Sequence, residues 1–282
     1  MPAHHTSAPV ADVATPEAAR MPSGSGEIAT APTRFRVVPA ITDAVRDEVY
    51  RIRHQVFCEE LTLFECRADG LETDLFDAHA VHLLLQERET GESVGCVRVV
   101  KGQRDDPDAL LPFESVCGRA ADNRHFRWSS IPREVIGEVS RLGVISKFRR
   151  RPGEASQPIP INVSPTTFEA TPNRRLFPYI LVSLYLGAYV VAQREGLQYL
   201  FTFTELRLRD HLARLGIPMF EAGDLVHHKG LRAPAVIEVS SIADTMTPFV
   251  RTLCRQIVQD VEAGYSGMAP GRQSAARKPT PR

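Results

Sequence analysis

The chain has 282 residues, 43% of them hydrophobic, enough to bury a sizeable core in one large domain or two small ones. Lys plus Arg and Asp plus Glu number 34 each, which excludes a global field towards nucleic acid or an anionic membrane and leaves charged partners to local patches. The five cysteines, Cys58, Cys66, Cys96, Cys117 and Cys254, form no CxxC pair and no metal-ligand pattern, so the chain reads as reduced and cytoplasmic.

Residues 1–33 are rich in Ala, Pro, Ser, Gly and Thr and lack the basic start and apolar run of a signal peptide; they read as a disordered tail. From Thr42 or Asp43, as cap, the apolar positions Ile41, Val45, Val49, Ile52 and Val56 predict an amphipathic helix that carries Arg53 and Phe57 on one face. A loop containing Gly70, Asp74 and Asp77 leads to a strand over 79–86, a turn at Gly91 and a hairpin partner over 92–100 with Arg98 inside it. A polar loop over 101–132 precedes a third strand, 135–146, which holds Glu138 and Arg141.

Lys147, Arg149, Arg150 and Arg151 follow at once, and residues 150–173 read as an irregular insertion. The uncharged run 176–192 approaches the length of a membrane span, but it contains Pro178, Ser183 and Gly187 and is followed by Arg194 and Glu195. It reads as a buried core helix, so no transmembrane segment is expected. A strand over 197–204, a helix over 205–215 closed by Gly216, a strand over 235–239 and a helix over 247–263 complete the body. Gly264 ends that helix, and 264–282 is a basic, disordered tail. One domain, 34–263, is expected: α/β, three-layer, with a mixed sheet.

Charges inside strands are costly unless paired or used, which singles out Arg53, Phe57, Asp74, Asp77, Arg98, Glu138 and Arg141. Strand alternation sends Glu138 and Arg141 to opposite faces unless a bulge intervenes. In one cleft they would form an active site; otherwise they belong to a structural ion network. Asp74 and Asp77 either cap a turn or form an anionic rim that meets Arg53 and Arg98. The two carboxylates alone make too poor a ligand set for a metal, and no Ser, Cys or Lys stands in a nucleophile context. The cluster from Lys147 to Arg151 suits a phosphate or an acidic protein, or is a solvated charge run.

Together, YRIRHQVFCEEL, DGLETDLFDAHAVHLLL, TGESVGCVRVV and EVSRLGVISKFRRR resemble the autoinducer-synthase-like acyltransferases. With LRDHLARLGIPMF and VHHKGLRAP they look more like the acyltransferases associated with exosortase and PEP-CTERM sorting systems. The resemblance covers roughly residues 35–240. It implies a GNAT-like fold whose acyl thioester enters where two central strands splay apart, and it places the family's functional pattern on the same seven residues. Glu138 is then expected as the base, directly or through water, with Arg98 and Arg141 holding it ionised or positioning an acceptor carboxylate. Arg53, Asp74 and Asp77 would order the entrance, with Phe57 on its apolar side. Lys147, Arg149, Arg150 and Arg151 would meet the phosphopantetheine phosphate and the carrier surface.

The expected activity is N-acyl transfer from acyl-acyl carrier protein, a partner rather than a bound cofactor, to a small amine such as an amino acid. Acyl-homoserine-lactone synthesis from S-adenosylmethionine is the alternative, although Leu63 stands where those synthases carry a tryptophan. A non-catalytic acyl-carrier or lipid-binding module is the other. No glycine-rich run follows the third strand, which favours carrier protein over coenzyme A as donor.

Overall fold

The structure, a computed structural model, describes residues 34–119, 127–149 and 172–267. The tail expected at 1–33, most of the one expected at 264–282, and the insertion up to residue 171 lie outside the described residues.

Eight strands form the central sheet: β1 (Phe35–Pro39), β2 (Ala80–Glu87), β3 (Ser93–Lys101), β4 (Ile136–Val144), β5 (Tyr199–Thr204), β6 (Phe220–Glu221), β7 (Val226–His227) and β8 (Leu231–Glu238). Their order is β1-β2-β3-β4-β5-β8-β6, with β7 paired to β8 off this path. Among the described residues only the β4–β5 pair is parallel, and the long helix α2 (Pro172–Arg194) lies in the connection such a pair requires. The mixed α/β sheet agrees with expectation. β1 is an addition to it, since its five residues end in Pro39, which an edge strand tolerates.

Helix α1 (Asp43–Arg53) is capped by Thr42, whose side chain accepts from the Val45 N–H. It then widens into a π-helical segment, His54–Glu60, where the Leu61 N–H reaches back to the Val56 carbonyl. Such segments occur often at functional sites because they re-aim side chains. Here Arg53 is fully buried and Phe57 nearly so.

Helix α2 is apolar on every side because it is covered on both: the sheet lies under it and α5 (Pro248–Ser266) packs over it. No helix among the described residues is long and apolar enough to cross a membrane. The expected polar loop 101–132 is partly apolar, since Leu111, Phe113 and Trp128 are buried in a second core with Phe201 and Val236. The Phe113 and Phe201 rings stack at 4.9 Å. Helices α3 (Leu206–Arg214) and α4 (Val239–Thr245) flank β5 and β8.

Gly264 does not end α5, which runs on to Ser266. A Cβ at Gly264 would sit 2.5 Å from Pro39 Cδ, so the missing side chain lets the helix approach β1. Gly264→Ala is therefore expected to lower stability by about 1–3 kcal/mol in urea denaturation, overpacking outweighing the gain in helix propensity.

Candidate active site

The ladder between β4 and β5 runs from Ile136–Tyr199 to Val139–Thr202 and stops there. Beyond it Ser140, Arg141 and Leu142 on β4, and Phe203 and Thr204 on β5, line a cleft of about 330 Å³ between the diverging strands. Phe57, Phe64, Phe113 and Tyr185 supply much of its apolar wall, and Asp74, Glu138, Arg141, His228, Lys229 and Arg232 its charged or titratable polar groups.

Glu138 and Arg141 reach one cleft because β4 is bulged. Cys96 pairs with Gly143 and Arg98 with Ser140, so the single residue Val97 faces two, Arg141 and Leu142. Arg141 has φ +50°, a left-handed conformation that costs a non-glycine residue energy and marks sites where direction matters.

Three guanidiniums and three carboxylates fill the space beside the cleft. Arg53 donates through Nε to Glu72 Oε2 at 2.5 Å and through Nη1 to Asp77 Oδ1 at 2.7 Å. Arg98, fully buried, donates through Nη1 to Asp74 and Asp77 at 2.5 Å each, and through Nε to Ser140 Oγ at 3.1 Å. Arg141 donates through Nη2 to Asp74 Oδ2 at 2.8 Å and to Glu72 Oε1 at 3.0 Å. Asp74 and Asp77 also cap the short turn Leu75–His79 reciprocally, so turn-capping and ion-pairing are both realised. The arginines hold Asp77 down at about 2 against the cost of its burial, and Glu72 shifts down for the same reason. His82 lies 3.6 Å from Asp77 but is pushed down to about 4, chiefly by burial and further by Arg53 and Arg98, and so stays neutral.

Glu138 stands outside this network. It is 2% exposed, and its Oε2 accepts from the Phe113 backbone N–H at 2.8 Å. Burial pushes its pKa up to about 8, more than the Phe113 hydrogen bond and the charges of Arg98 and Arg141 can offset. The expectation that Arg98 and Arg141 hold Glu138 ionised is therefore corrected: both guanidiniums are committed to other carboxylates, and Glu138 keeps its proton at neutral pH. Arg98 is fully buried and does not line the cleft.

In the basic cluster, Lys147 stays exposed in a surface pair with Glu92 at 2.6 Å, whereas Arg149 is buried against Glu60 at 2.6 Å, so burial withdraws Arg149 from a phosphate. Arg150 and Arg151 lie outside the described residues.

Residues 52–156 match the family model described as Acetyltransferase (GNAT) domain. TofI, solved in a ternary complex with an inhibitor and MTA, aligns with a TM-score of 0.51 at 18% identity, over 78% of this chain and all of that one. The fold is GNAT-like. Two further solved structures have lower scores. MesI, a CoA-dependent acyl-homoserine lactone synthase, has a TM-score of 0.47 at 21% identity, covering 80% of this chain and 95% of its own. FeeM, an N-acyl amino acid synthase from uncultured soil microbes, has 0.46 at 16%, covering 76% and 95%. At such identities the likeness is one of fold, and no curated protein matches the chain.

In this GNAT-like frame the sequence pattern misses Glu72, the carboxylate shared by Arg53 and Arg141, although its place two residues before Asp74 was a signal. It also misses His82, which reads as an ordinary strand residue, and the cleft groups Tyr185, Lys229 and Arg232.

Glu72→Ala, which takes from Arg53 and Arg141 one of the two carboxylates each holds, is expected to cost about 1.5–3 kcal/mol in chemical denaturation. For Glu138, whose folded pKa lies above its unfolded value near 4.5, the contribution to stability is fully present below pH 4.5 and lost as pH rises towards 8. Asp77 acts in the opposite sense and in another window, its contribution lost as pH falls from 3.8 through about 2. Denaturation at pH 5 and pH 8 should therefore show wild type losing more stability than Glu138→Gln across that interval.

Proposed function

We propose that the protein is an N-acyltransferase that moves a fatty acyl group from acyl-acyl carrier protein to a small amine, with an amino acid as acceptor. The observation that carries this reading is Glu138, a buried carboxyl with a pKa near 8 set in the wall of a cleft between two parting strands. A group that titrates there can take a proton from an ammonium substrate and release it at working pH.

In this reading the amine nitrogen attacks the thioester carbon, a C–N bond forms and the C–S bond breaks. The ammonium's first proton passes through Glu138 to solvent, and the second, lost from the attacking nitrogen as the amide forms, goes to the departing carrier thiolate. Strand edges that no longer bond each other offer backbone N–H groups to the developing oxyanion. Arg141, lying 4.5 Å from the Phe64 ring centre, braces the apolar wall that Phe57 continues. The donor is assigned from the sequence after β4, ISKFRRRPG, which lacks a glycine-rich phosphate loop. Arg150 and Arg151 are the candidates for its single phosphate. Five free thiols support a reduced, cytoplasmic setting, and the resemblance of 208–220 and 226–234 supports an association with exosortase systems.

Incubation with acyl-acyl carrier protein and a pool of amino acids should release carrier thiol and acylated amine together; neither product appearing would sink the reading. Methylthioadenosine released from S-adenosylmethionine would point to lactone synthesis instead. Glu138→Gln is expected to lower kcat by about 10²–10⁴-fold. In wild type kcat/KM should rise with pH through a limb near 8 that the variant lacks.

A further inference from the structure

The turn between β7 and β8 reaches across the cleft mouth to the segment after the π-helical turn. Lys229 Nζ donates to the Leu63 carbonyl at 2.8 Å and lies 3.1 Å above the Phe64 ring centre. Its φ of +49° holds a non-glycine residue in the left-handed region, with Gly230 at +108° beside it. Three residues on, Arg232 also lines the cleft. It donates through Nη1 to the Phe203 carbonyl at 3.4 Å, while its buried Nε has no hydrogen-bond partner.

Neither cation has a carboxylate within 4.0 Å among the described residues. Every other cationic side chain of the cleft region has one: Arg53, Arg98 and Arg141 share Glu72, Asp74 and Asp77. The cleft's own carboxyls cannot serve, because Asp74 is already shared between Arg98 and Arg141 and Glu138 carries a proton. Burial lowers the pKa of both half-buried Arg232 and the more exposed Lys229, and the more distant charges of Glu205 on the first and Glu72 on the second offset only part of it. For half-buried Arg232 a cation with no carboxylate in contact is costly, and a ligand that brings the anion removes the cost, while exposed Lys229 adds a second positive charge beside it.

We propose that Lys229 and Arg232 form the subsite for the carboxylate of the acceptor, so that the substrate is an amino acid rather than a simple amine; the assignment rests on the acyl-transfer reading. In an amino acid one carbon separates the amine from the carboxylate. Glu138, Lys229 and Arg232 all line this one cleft, so groups suited to both ends of an amino acid face the same space. The donor's phosphate is separated from the reacting sulfur by the whole pantetheine arm, too far to share this space with the thioester. Arg232 supplies planar, paired donors suited to a carboxylate, and Lys229 a point charge with one donor already used.

The test needs no turnover, so it can fail while acyl transfer stands, and the reverse. N-octanoylglycine and N-methyloctanamide, which differ only by the carboxylate, are titrated into the whole chain by calorimetry. Wild type is expected to bind N-octanoylglycine at least about ten-fold more tightly, the range of a charge-assisted hydrogen bond. Arg232→Gln and Lys229→Met, each checked for unchanged thermal midpoint, should abolish the preference and leave N-methyloctanamide binding as it was. Arg232→Lys should restore part of it. Equal binding of the two amides, binding of neither, or a preference that survives both substitutions would overturn the proposal. So would variants that lose affinity for 4′-phosphopantetheine while keeping the preference, since the cations would then serve the donor.

Discussion

The structure depends on a closed network of buried charge. Arg53 from α1, Arg98 from β3 and Arg141 from β4 converge on Glu72, Asp74 and Asp77, which all belong to one loop. Two of the arginines are fully buried, and a guanidinium there is tolerable only with carboxylates in hydrogen-bonding geometry. The loop is thus tied to a helix and two strands at once, and its own turn is preorganised by the reciprocal caps of Asp74 and Asp77. These ties, more than apolar burial, hold the loop against the sheet: Leu75, at the tip of that turn, is 78% exposed.

The network sets the chemistry next to it. Its guanidiniums are paired with the loop carboxylates, and although the buried Nη2 of Arg98 has no hydrogen-bond partner, the charges of Arg98 and Arg141 offset only part of the cost of burying Glu138, so burial decides its protonation. One region thereby contains carboxyls with opposite behaviour, Asp77 held at about 2 and Glu138 raised to about 8. The separation comes from partners rather than from distance. Phe113, on a loop whose apolar residues build the second core, both stacks on Phe201 and supplies the N–H that fixes the Glu138 carboxyl. The core under that loop is therefore part of the site.

The cleft itself is a consequence of sheet geometry. A parallel pair that opens after four registered positions leaves two strand edges without ladder partners, and the bulge at Arg141 and Leu142 bends β4 where the opening begins. Tyr185 from α2 and the β7–β8 turn then close two of its sides. The strained backbone at Arg141 directs its guanidinium to Glu72 and Asp74 while leaving Glu138 on the cleft wall.

Much of this was legible along the chain. Helix α1, the β2–β3 hairpin, β4, the buried α2 and the succession β5, α3, β8 and α5 follow from apolar periodicity, caps and turn glycines, all local properties, whereas β1, the two-residue strands β6 and β7 and the short α4 carry too few such signals to be read. The seven spaced residues also stand out, because charges within apolar runs violate the same local rules. Which charge pairs with which is not local: Arg53 and Glu72 are 19 residues apart, and Arg141 and Glu72 are 69 apart. Strand alternation alone separates Glu138 from Arg141, and only pairing with β3 shows that the bulge brings both to one cleft. Arg149 looks available in the sequence because Glu60, the carboxylate it is buried against, comes from a distant element. The sequence by itself determined the elements and the set of candidate residues, since those rest on neighbours within a few positions. Tertiary structure decided their pairing, the protonation of Glu138 and the uncompensated charge of Lys229 and Arg232, because electrostatic cost in a protein depends on what surrounds a group in space.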